Sequence, residues 1–172
     1  YGIAVTLWRL RADHDADAQY GLGVAYLEGK GVSPNLETAV SWFIKAANQQ
    51  HLYAMFNVGT AYWIGRGIEK NRKEAVFWWR NAAHDGLPNA QYNLGLAYYK
   101  GEAGVLEKDN DKAHHWLTSA ASQQHKDALK TLERFGVSEM TMEEKVRWAA
   151  PKNWTMTPEE EHAYVQGLDR PS

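Results

Sequence analysis

A pattern of fixed length occurs three times along this chain, and it limits the folds that the chain can adopt. The copies align on segments that start at Ala18, Ala54 and Ala90, spaced 36 residues apart. Each segment is followed by glycines and then by a second segment that ends in an Ala-Ala pair. A period in the middle thirties is typical of solenoids built from two-helix units. The sequence therefore predicts an all-α repeat protein.

The spacing of apolar residues inside each copy is helical. Ala18, Leu22 and Tyr26 fall at i, i+4 and i+8, which places them on one stripe of a helix. The second segment shows the same period from Ala39 through Phe43. Glycines between the segments permit a positive φ and so predict the end of each first helix.

Small and aromatic residues recur at fixed places in the copies. Gly23, Gly59 and Gly95 hold equivalent positions, where short side chains let two helices approach closely. The chain also has 8 Trp and 9 Tyr. We expect most of the aromatic residues at repeat positions to fill the space between hairpins.

The order of these motifs resembles a known family. Ala-x-x-x-Leu-Gly-x-x-Tyr, then Gly-x-Gly-Val, then Ala-x-x-Trp-(Phe/Trp)-x-x-Ala-Ala is similar to the bacterial Sel1-like repeat, a relative of the tetratricopeptide repeat. The resemblance covers residues 18–124, and the third copy departs from it at 101–105, where two residues are inserted. It implies a right-handed α-solenoid that binds other proteins and has no chemistry of its own.

The predicted organisation is a single repeat domain over residues 1–172. It comprises a partial repeat at 1–17, full repeats at 18–53, 54–89 and 90–127, and helical cap residues at 128–172. The segment around Trp8 resembles the second helix of a preceding unit. Capping patterns at Thr141 and Thr157 predict two helices that cap the solenoid, or alternatively a regulatory or partner-specific tail. Because the chain starts at Tyr1 without Met, we expect that an upstream segment was removed.

Neither the composition nor the motifs of the chain identify a catalytic, metal-binding or cofactor-binding residue. The chain has no Cys, and no two of its 7 His stand at the i, i+3 or i+4 spacing of a helical metal pair. Asp13, Asp15 and Asp17 begin like a calcium loop but lack its later residues, so they indicate a helix start instead. We therefore expect no catalytic residue, no metal and no cofactor. A hydrolase or another enzyme remains the alternative.

Charge and hydropathy limit the partners. The net charge is −2, which gives no basic excess for nucleic acid. No apolar run approaches the roughly 18 residues of a membrane span. We expect neither nucleic-acid binding nor direct membrane insertion, and the compartment stays open between bacterial periplasm and cytoplasm, with a lean to the periplasm.

The first helix of each repeat carries a second apolar stripe. In the first copy the stripe that packs contains Ala18, Leu22 and Tyr26, and Tyr62 and Tyr98 are the equivalents of Tyr26 in the other two copies. At about 100° per residue, three further side chains of each first helix fall on the opposite side of the helix. By the family's geometry, first helices line the concave face. The predicted protein-binding residues are Tyr20, Val24, Leu27, Phe56, Thr60, Trp63, Tyr92, Leu96 and Tyr99.

This second stripe predicts a non-enzymatic module that binds one partner protein or peptide in its concave groove. Its role is that of a scaffold or adaptor, or of an immunity-type inhibitor whose partner is a secreted toxic effector. Two alternatives stay open. In the first, the superhelix is tight and buries the stripe against itself or against the C-terminal tail. In the second, the partner is recognised by edge loops near Lys30, Arg66 and Glu102 or by the tail after Pro151.

Overall fold

The computed structural model describes residues 2–101 and 104–134, so the predicted cap helices near Thr141 and Thr157 lie outside the described residues. Every regular element within these ranges is an α-helix. The helices are α1 (Gly2–Arg11), α2 (Ala16–Glu28), α3 (Leu36–Asn48), α4 (Leu52–Ile64), α5 (Arg72–His84), α6 (Pro88–Lys100), α7 (Asn110–Ser122) and α8 (Lys126–Arg134). The described residues divide into two compact units, one that ends at residue 87 and one that starts at residue 88. The predicted all-α repeat fold is confirmed, while the right-handed superhelix stays a prediction.

The helices begin and end where the sequence indicates. Asp15 is the N-cap of α2, where its side chain accepts hydrogen bonds from the backbone N–H groups of Asp17 and Ala18. The acidic triplet is therefore a helix start, as predicted. At the other end of α2, Gly29 has φ 72°, and its N–H donates to the Ala25 carbonyl. Gly65 ends α4 in the same way.

Within each hairpin, the first helix contacts the second through a glycine. A Cβ built on Gly23 would lie 2.5 Å from the Phe43 ring, and one on Gly59 would lie 2.5 Å from Trp79 Cδ1. In the unit that starts at residue 88, Gly95 faces Leu117 at 2.9 Å. The short side chain at this position is thus what allows a large side chain to pack directly on the helix backbone.

Helix α1 packs on α2 through the Trp8 ring and a small apolar cluster. The indole of Trp8 lies over Gly21, where an added Cβ would be 2.7 Å from Trp8 Cε2. Val5 and Leu22 are buried in the same cluster. That this segment is the second helix of a preceding unit stays a prediction.

Large aromatic side chains from the second helices form much of the core. Phe43, Trp79 and Trp116 are buried. Their predicted role as packing residues is confirmed at these positions. Trp42 and Trp78 are only half-buried, so some of the large aromatic side chains of the second helices lie partly outside the core.

The third repeat places a histidine where the first two have a buried valine. His114 is 3% exposed, and it aligns with Val40 and Val76. Its Thr118 neighbour lies within 3.4 Å of both ring nitrogens. Burial, together with the adjacent His115 charge, lowers the pKa of His114 to about 4.

Replacing Gly59 tests the close contact in the first unit. We expect Gly59→Ala to lower the free energy of unfolding by about 1–3 kcal/mol because the new methyl group collides with Trp79. At an uncrowded helical site the same change would stabilise by up to about 1 kcal/mol. Gly2→Ala is the control, since Gly2 is helical and has nothing within 4 Å of its Cβ position. Urea unfolding measures both, and a stabilised Gly59→Ala variant would contradict the contact.

The low pKa of His114 gives a pH dependence with a defined sign. Unfolded His114 takes up a proton below about pH 6.5, whereas the folded state resists protonation until about pH 4. Stability therefore falls as the pH drops through this window, by up to about 3 kcal/mol from this group. We expect His114→Val to remove that part of the slope and exposed His14→Val to retain it, as measured by urea unfolding at pH 7 and 4.5. Equal slopes in the two variants would show that His114 is not responsible.

Candidate protein-binding surface

The nine predicted binding residues all lie outside the buried core. Seven are half-buried, and the two most exposed are Leu27 at 37% on α2 and Tyr99 at 38% on α6. Six of the nine belong to the unit that ends at residue 87 and three to the unit that starts at residue 88. That all nine form one surface stays a prediction.

The predicted packing stripe is less uniform. Tyr98 is 5% exposed. Tyr26 and Tyr62 are half-buried, and the Tyr26 hydroxyl accepts a 2.9 Å hydrogen bond from Arg9. The difference in exposure between the two faces of a first helix is thus clearest in α6, where Tyr98 is buried and its neighbour Tyr99 is exposed.

In the first unit, α2 and α4 carry an apolar pocket between them, with α3 as its floor. Its volume is about 120 Å³, and it is open to solvent on one side. The apolar lining residues include Leu27, Leu36, Val40, Phe43, Ala61 and Ile64. Leu27 and Thr60, both predicted binding residues, contribute to it. Their common pocket is a feature that the angular argument did not predict.

Tyr20, another predicted binding residue, is stacked on His51. The ring centroids are 4.4 Å apart with an interplanar angle of 18°. His51 Nδ1 accepts the Ala54 backbone N–H at 3.2 Å and so caps α4, while Nε2 lies 3.3 Å from Asp17 Oδ1. These contacts assign the ring proton to Nε2. Burial raises the pKa of the Tyr20 hydroxyl, so it stays protonated at neutral pH.

The third repeat has the same arrangement in the second unit. Tyr92 stacks on His125 with the centroids 4.8 Å apart. His125 Nδ1 accepts the Ala128 backbone N–H at 3.2 Å, and Nε2 lies 3.0 Å from Asn89 Oδ1. In both repeats the imidazole covers one face of the tyrosine ring. This leaves less of each ring for a partner than a free aromatic would offer.

A glutamine pair accompanies each stack. Gln49 Nε2 donates to Gln19 Oε1 at 2.8 Å, and Gln123 Nε2 donates to Gln91 Oε1 at 3.0 Å. The second repeat has Met55 and Asp85 at the matching places, and Leu87 where the other two have histidine. The spacing of metal ligands, which was the criterion for the histidines, does not reveal this arrangement of stacked rings and paired glutamines. The signal in the sequence is the Gln-Gln-His that follows the second helix in the first and third repeats.

Trp63 has a structural role beside its predicted binding role. Its ring lies under the Arg72 guanidinium, 3.7 Å from the centroid, and 4.9 Å from the ring of buried Trp79. The Trp79 Nε1–H donates to the Thr60 hydroxyl at 3.3 Å. Truncation of Trp63 should therefore disturb the α4–α5 hairpin whether or not a partner contacts it, which makes Trp63 a poor probe of binding alone.

Metal and membrane features give no further site. The described residues contain no group of three or more His, Cys, Asp or Glu side chains placed to share a metal ion. None of the helices in residues 2–101 and 104–134 combines the length and apolar character that crossing a bilayer requires.

Loss of the histidine cap tests the Tyr20–His51 arrangement. We expect His51→Ala to lower the free energy of unfolding by about 1–2 kcal/mol because it removes the α4 N-cap and the ring stack together. His51→Asn should restore part of this loss, since asparagine is a good N-cap. His14→Ala, at an exposed histidine, is the control. If His51→Ala and His14→Ala unfold at the same urea concentration, the histidine is not a structural cap.

The comparisons with known proteins agree with this geometry. The profile of the Sel1 repeat family matches residues 16–51, 52–87 and 88–125. A Sel1 repeat protein from Oxalobacter formigenes, known from its crystal structure, is 35% identical with a TM-score of 0.69. The match covers 75% of this chain and 96% of that one. No curated protein matches the chain.

Two further solved structures share the fold. A protective antigen of uropathogenic Escherichia coli strains is 27% identical with a TM-score of 0.68. This match covers 89% of this chain and spans only 34% of the antigen. The Helicobacter pylori cysteine rich protein B is 16% identical with a TM-score of 0.56, over 64% of this chain and 80% of its own. That last likeness shows the fold alone. Three matched repeats over most of the chain establish that it belongs to the Sel1 repeat family.

Proposed function

We propose that this chain is a protein-interaction module without catalytic chemistry, which binds one partner protein or peptide through the predicted concave surface. Sel1 repeat proteins are generally protein–protein interaction modules. The observation that carries the proposal for this chain is the second apolar stripe of the first helices. Its nine side chains lie outside the core, although a helix needs only one apolar stripe to pack in a solenoid.

The pocket beside Leu27 and Thr60 supports a partner that inserts a side chain. Interfaces gain most of their affinity from a few side chains that fill such depressions, while the surrounding contacts exclude water. The pocket also joins side chains of two successive repeats, the first and the second. A partner bound there would contact both repeats at once.

Two roles use the same surface. In the first, the chain is a scaffold or adaptor that holds a partner within an assembly. In the second, it is an immunity-type inhibitor that neutralises a secreted toxic effector, and co-expression would then restore growth to cells that produce the effector.

Three side chains of nearly equal exposure allow a matched test. Leu27 and Tyr99 belong to the predicted surface, whereas Phe77 on α5 lies outside it, and their exposures are 37%, 38% and 37%. We expect Leu27→Ala and Tyr99→Ala each to weaken the partner at least tenfold, which is about 1.4 kcal/mol. Phe77→Ala should leave the affinity unchanged. The partner is first recovered with the full chain from the native extract, and isothermal titration calorimetry then measures each variant.

The opposite pattern would place recognition elsewhere. If Phe77→Ala loses the partner while Leu27→Ala and Tyr99→Ala retain it, the second helices carry the binding surface. If no stoichiometric partner is recovered and the purified chain turns over ester or phosphate substrates, the module is an enzyme and the proposal is wrong.

A further inference from the structure

The pocket of the first unit has a polar edge beside its apolar lining. Asn57 and Arg66 contribute to this edge, together with the Thr60 hydroxyl. The Asn57 side chain hydrogen-bonds the Tyr20 hydroxyl, and Thr60 Oγ1 donates to the Phe56 carbonyl at 2.9 Å. Both groups are thus already engaged within the protein.

Arg66 differs from these two groups. It is exposed and is the one charged residue in the pocket lining. Among the described residues, its guanidinium has neither an ion pair nor a side-chain hydrogen bond. The residue directly follows Gly65, the C-cap of α4, and its backbone N–H donates to the Ala61 carbonyl at 3.1 Å. Its position is therefore fixed by the helix end, while its charged group is available to a ligand.

The size of the pocket restricts what can enter. Apolar cavities of about 150 Å³ accept a benzene ring. A pocket of about 120 Å³ has room for a single apolar side chain, such as that of leucine, isoleucine or methionine. The apolar lining from Leu27, Val40 and Ile64 matches such a side chain in chemistry.

The charge at the edge restricts what flanks this side chain. A guanidinium pairs with a carboxylate through two parallel N–H···O bonds, and this geometry adds specificity to the charge attraction. A lysine or arginine on the partner would instead be repelled by Arg66. The neighbour of the inserted side chain should accordingly be acidic.

From this geometry we infer that the pocket between α2, α3 and α4 receives one aliphatic side chain from a peptide segment of the partner protein, and that an Asp or Glu beside it pairs with Arg66. This inference rests on the proposed function, because it specifies how the partner is recognised on the same surface. It adds the chemistry of the recognised segment: a leucine-sized side chain with an acidic neighbour.

A display library of randomised peptides, selected on the immobilised full chain, tests this specificity without knowledge of the natural partner. We expect the enriched peptides to share an aliphatic residue within two positions of Asp or Glu. Enrichment of basic peptides, or of peptides without an acidic residue, would overturn the inference. So would a selection that enriches nothing.

Matched variants then show whether the selected peptides occupy the pocket. Arg66→Glu reverses the charge at the edge, and Lys73→Glu makes the same change in an exposed residue of α5 outside the lining. Ile64→Ser removes an apolar wall, and Tyr53→Ser is its control on the same helix, with exposures of 56% and 54%. We expect Arg66→Glu and Ile64→Ser to weaken a selected peptide at least tenfold in a fluorescence titration, and both controls to bind as the wild type does. Equal binding by all four variants would place the peptide elsewhere.

A third variant distinguishes a pocket that the chain fills itself. Lys100→Glu, like Arg66→Glu, places a carboxylate at the C-terminal end of a helix, so without peptide the two variants should lose the same small amount of stability. A clearly lower melting temperature for Arg66→Glu than for Lys100→Glu would show that another part of the chain pairs with Arg66, which overturns the inference. The proposed function is tested apart from this, by the natural partner. If that partner is weakened by Tyr99→Ala but not by Arg66→Glu or Ile64→Ser, the interaction surface stands and the pocket inference falls.

Discussion

In each hairpin a glycine of the first helix faces a large side chain of the second, and the other features of the repeat depend on this contact. Gly23, Gly59 and Gly95 leave no space for a Cβ against Phe43, Trp79 and Leu117. The helices can therefore approach until an aromatic ring or a leucine touches the backbone. Such packing buries the second-helix side chain almost completely and fixes which face of the first helix points inward. Because one face is committed in this way, the apolar side chains on the other face are left outside the buried core.

Most of the helices and their packing faces could be predicted from the sequence, because the same pattern occurs three times and the copies can be compared. The spacing of Ala18, Ala54 and Ala90 fixed the period, and the glycines at 29 and 65 marked where first helices end. A helical wheel then assigned the second stripe, and in α6 the exposures of 5% for Tyr98 and 38% for Tyr99 follow that assignment. In α4 the two faces do not differ in this way, because Tyr62 and Trp63 are both half-buried. The wheel ignores how far a neighbouring hairpin reaches over a long side chain.

The features of the surface that depend on two or more helices could not be predicted in this way. The pocket needs the relative placement of α2, α3 and α4, which no property of a single helix contains. The Tyr20–His51 stack brings together residues from opposite ends of one repeat. Its signal was present in the Gln-Gln-His that recurs before α4 and α8, but its meaning requires knowing that histidine can act as an N-cap acceptor. The sequence likewise gives no reason to single out Arg66, because its position at the edge of an apolar pocket follows only from the structure.

The central claim is that each first helix has one face packed through glycine and a second apolar face that stays outside the core, where the proposed partner would bind. Hydroxyl-radical footprinting of the free full chain, read residue by residue, tests it most directly. Adjacent Tyr98 and Tyr99 give the sharpest comparison, since they are 5% and 38% exposed and share their chemistry and local sequence. The account predicts rapid labelling of Tyr99 and slow labelling of Tyr98 and buried Trp79, with exposed Tyr53, which lies outside the stripe, as the reference for a freely accessible ring. If Tyr99 is protected as strongly as Trp79 while Tyr53 is labelled rapidly, the second stripe belongs to the core and the account is wrong.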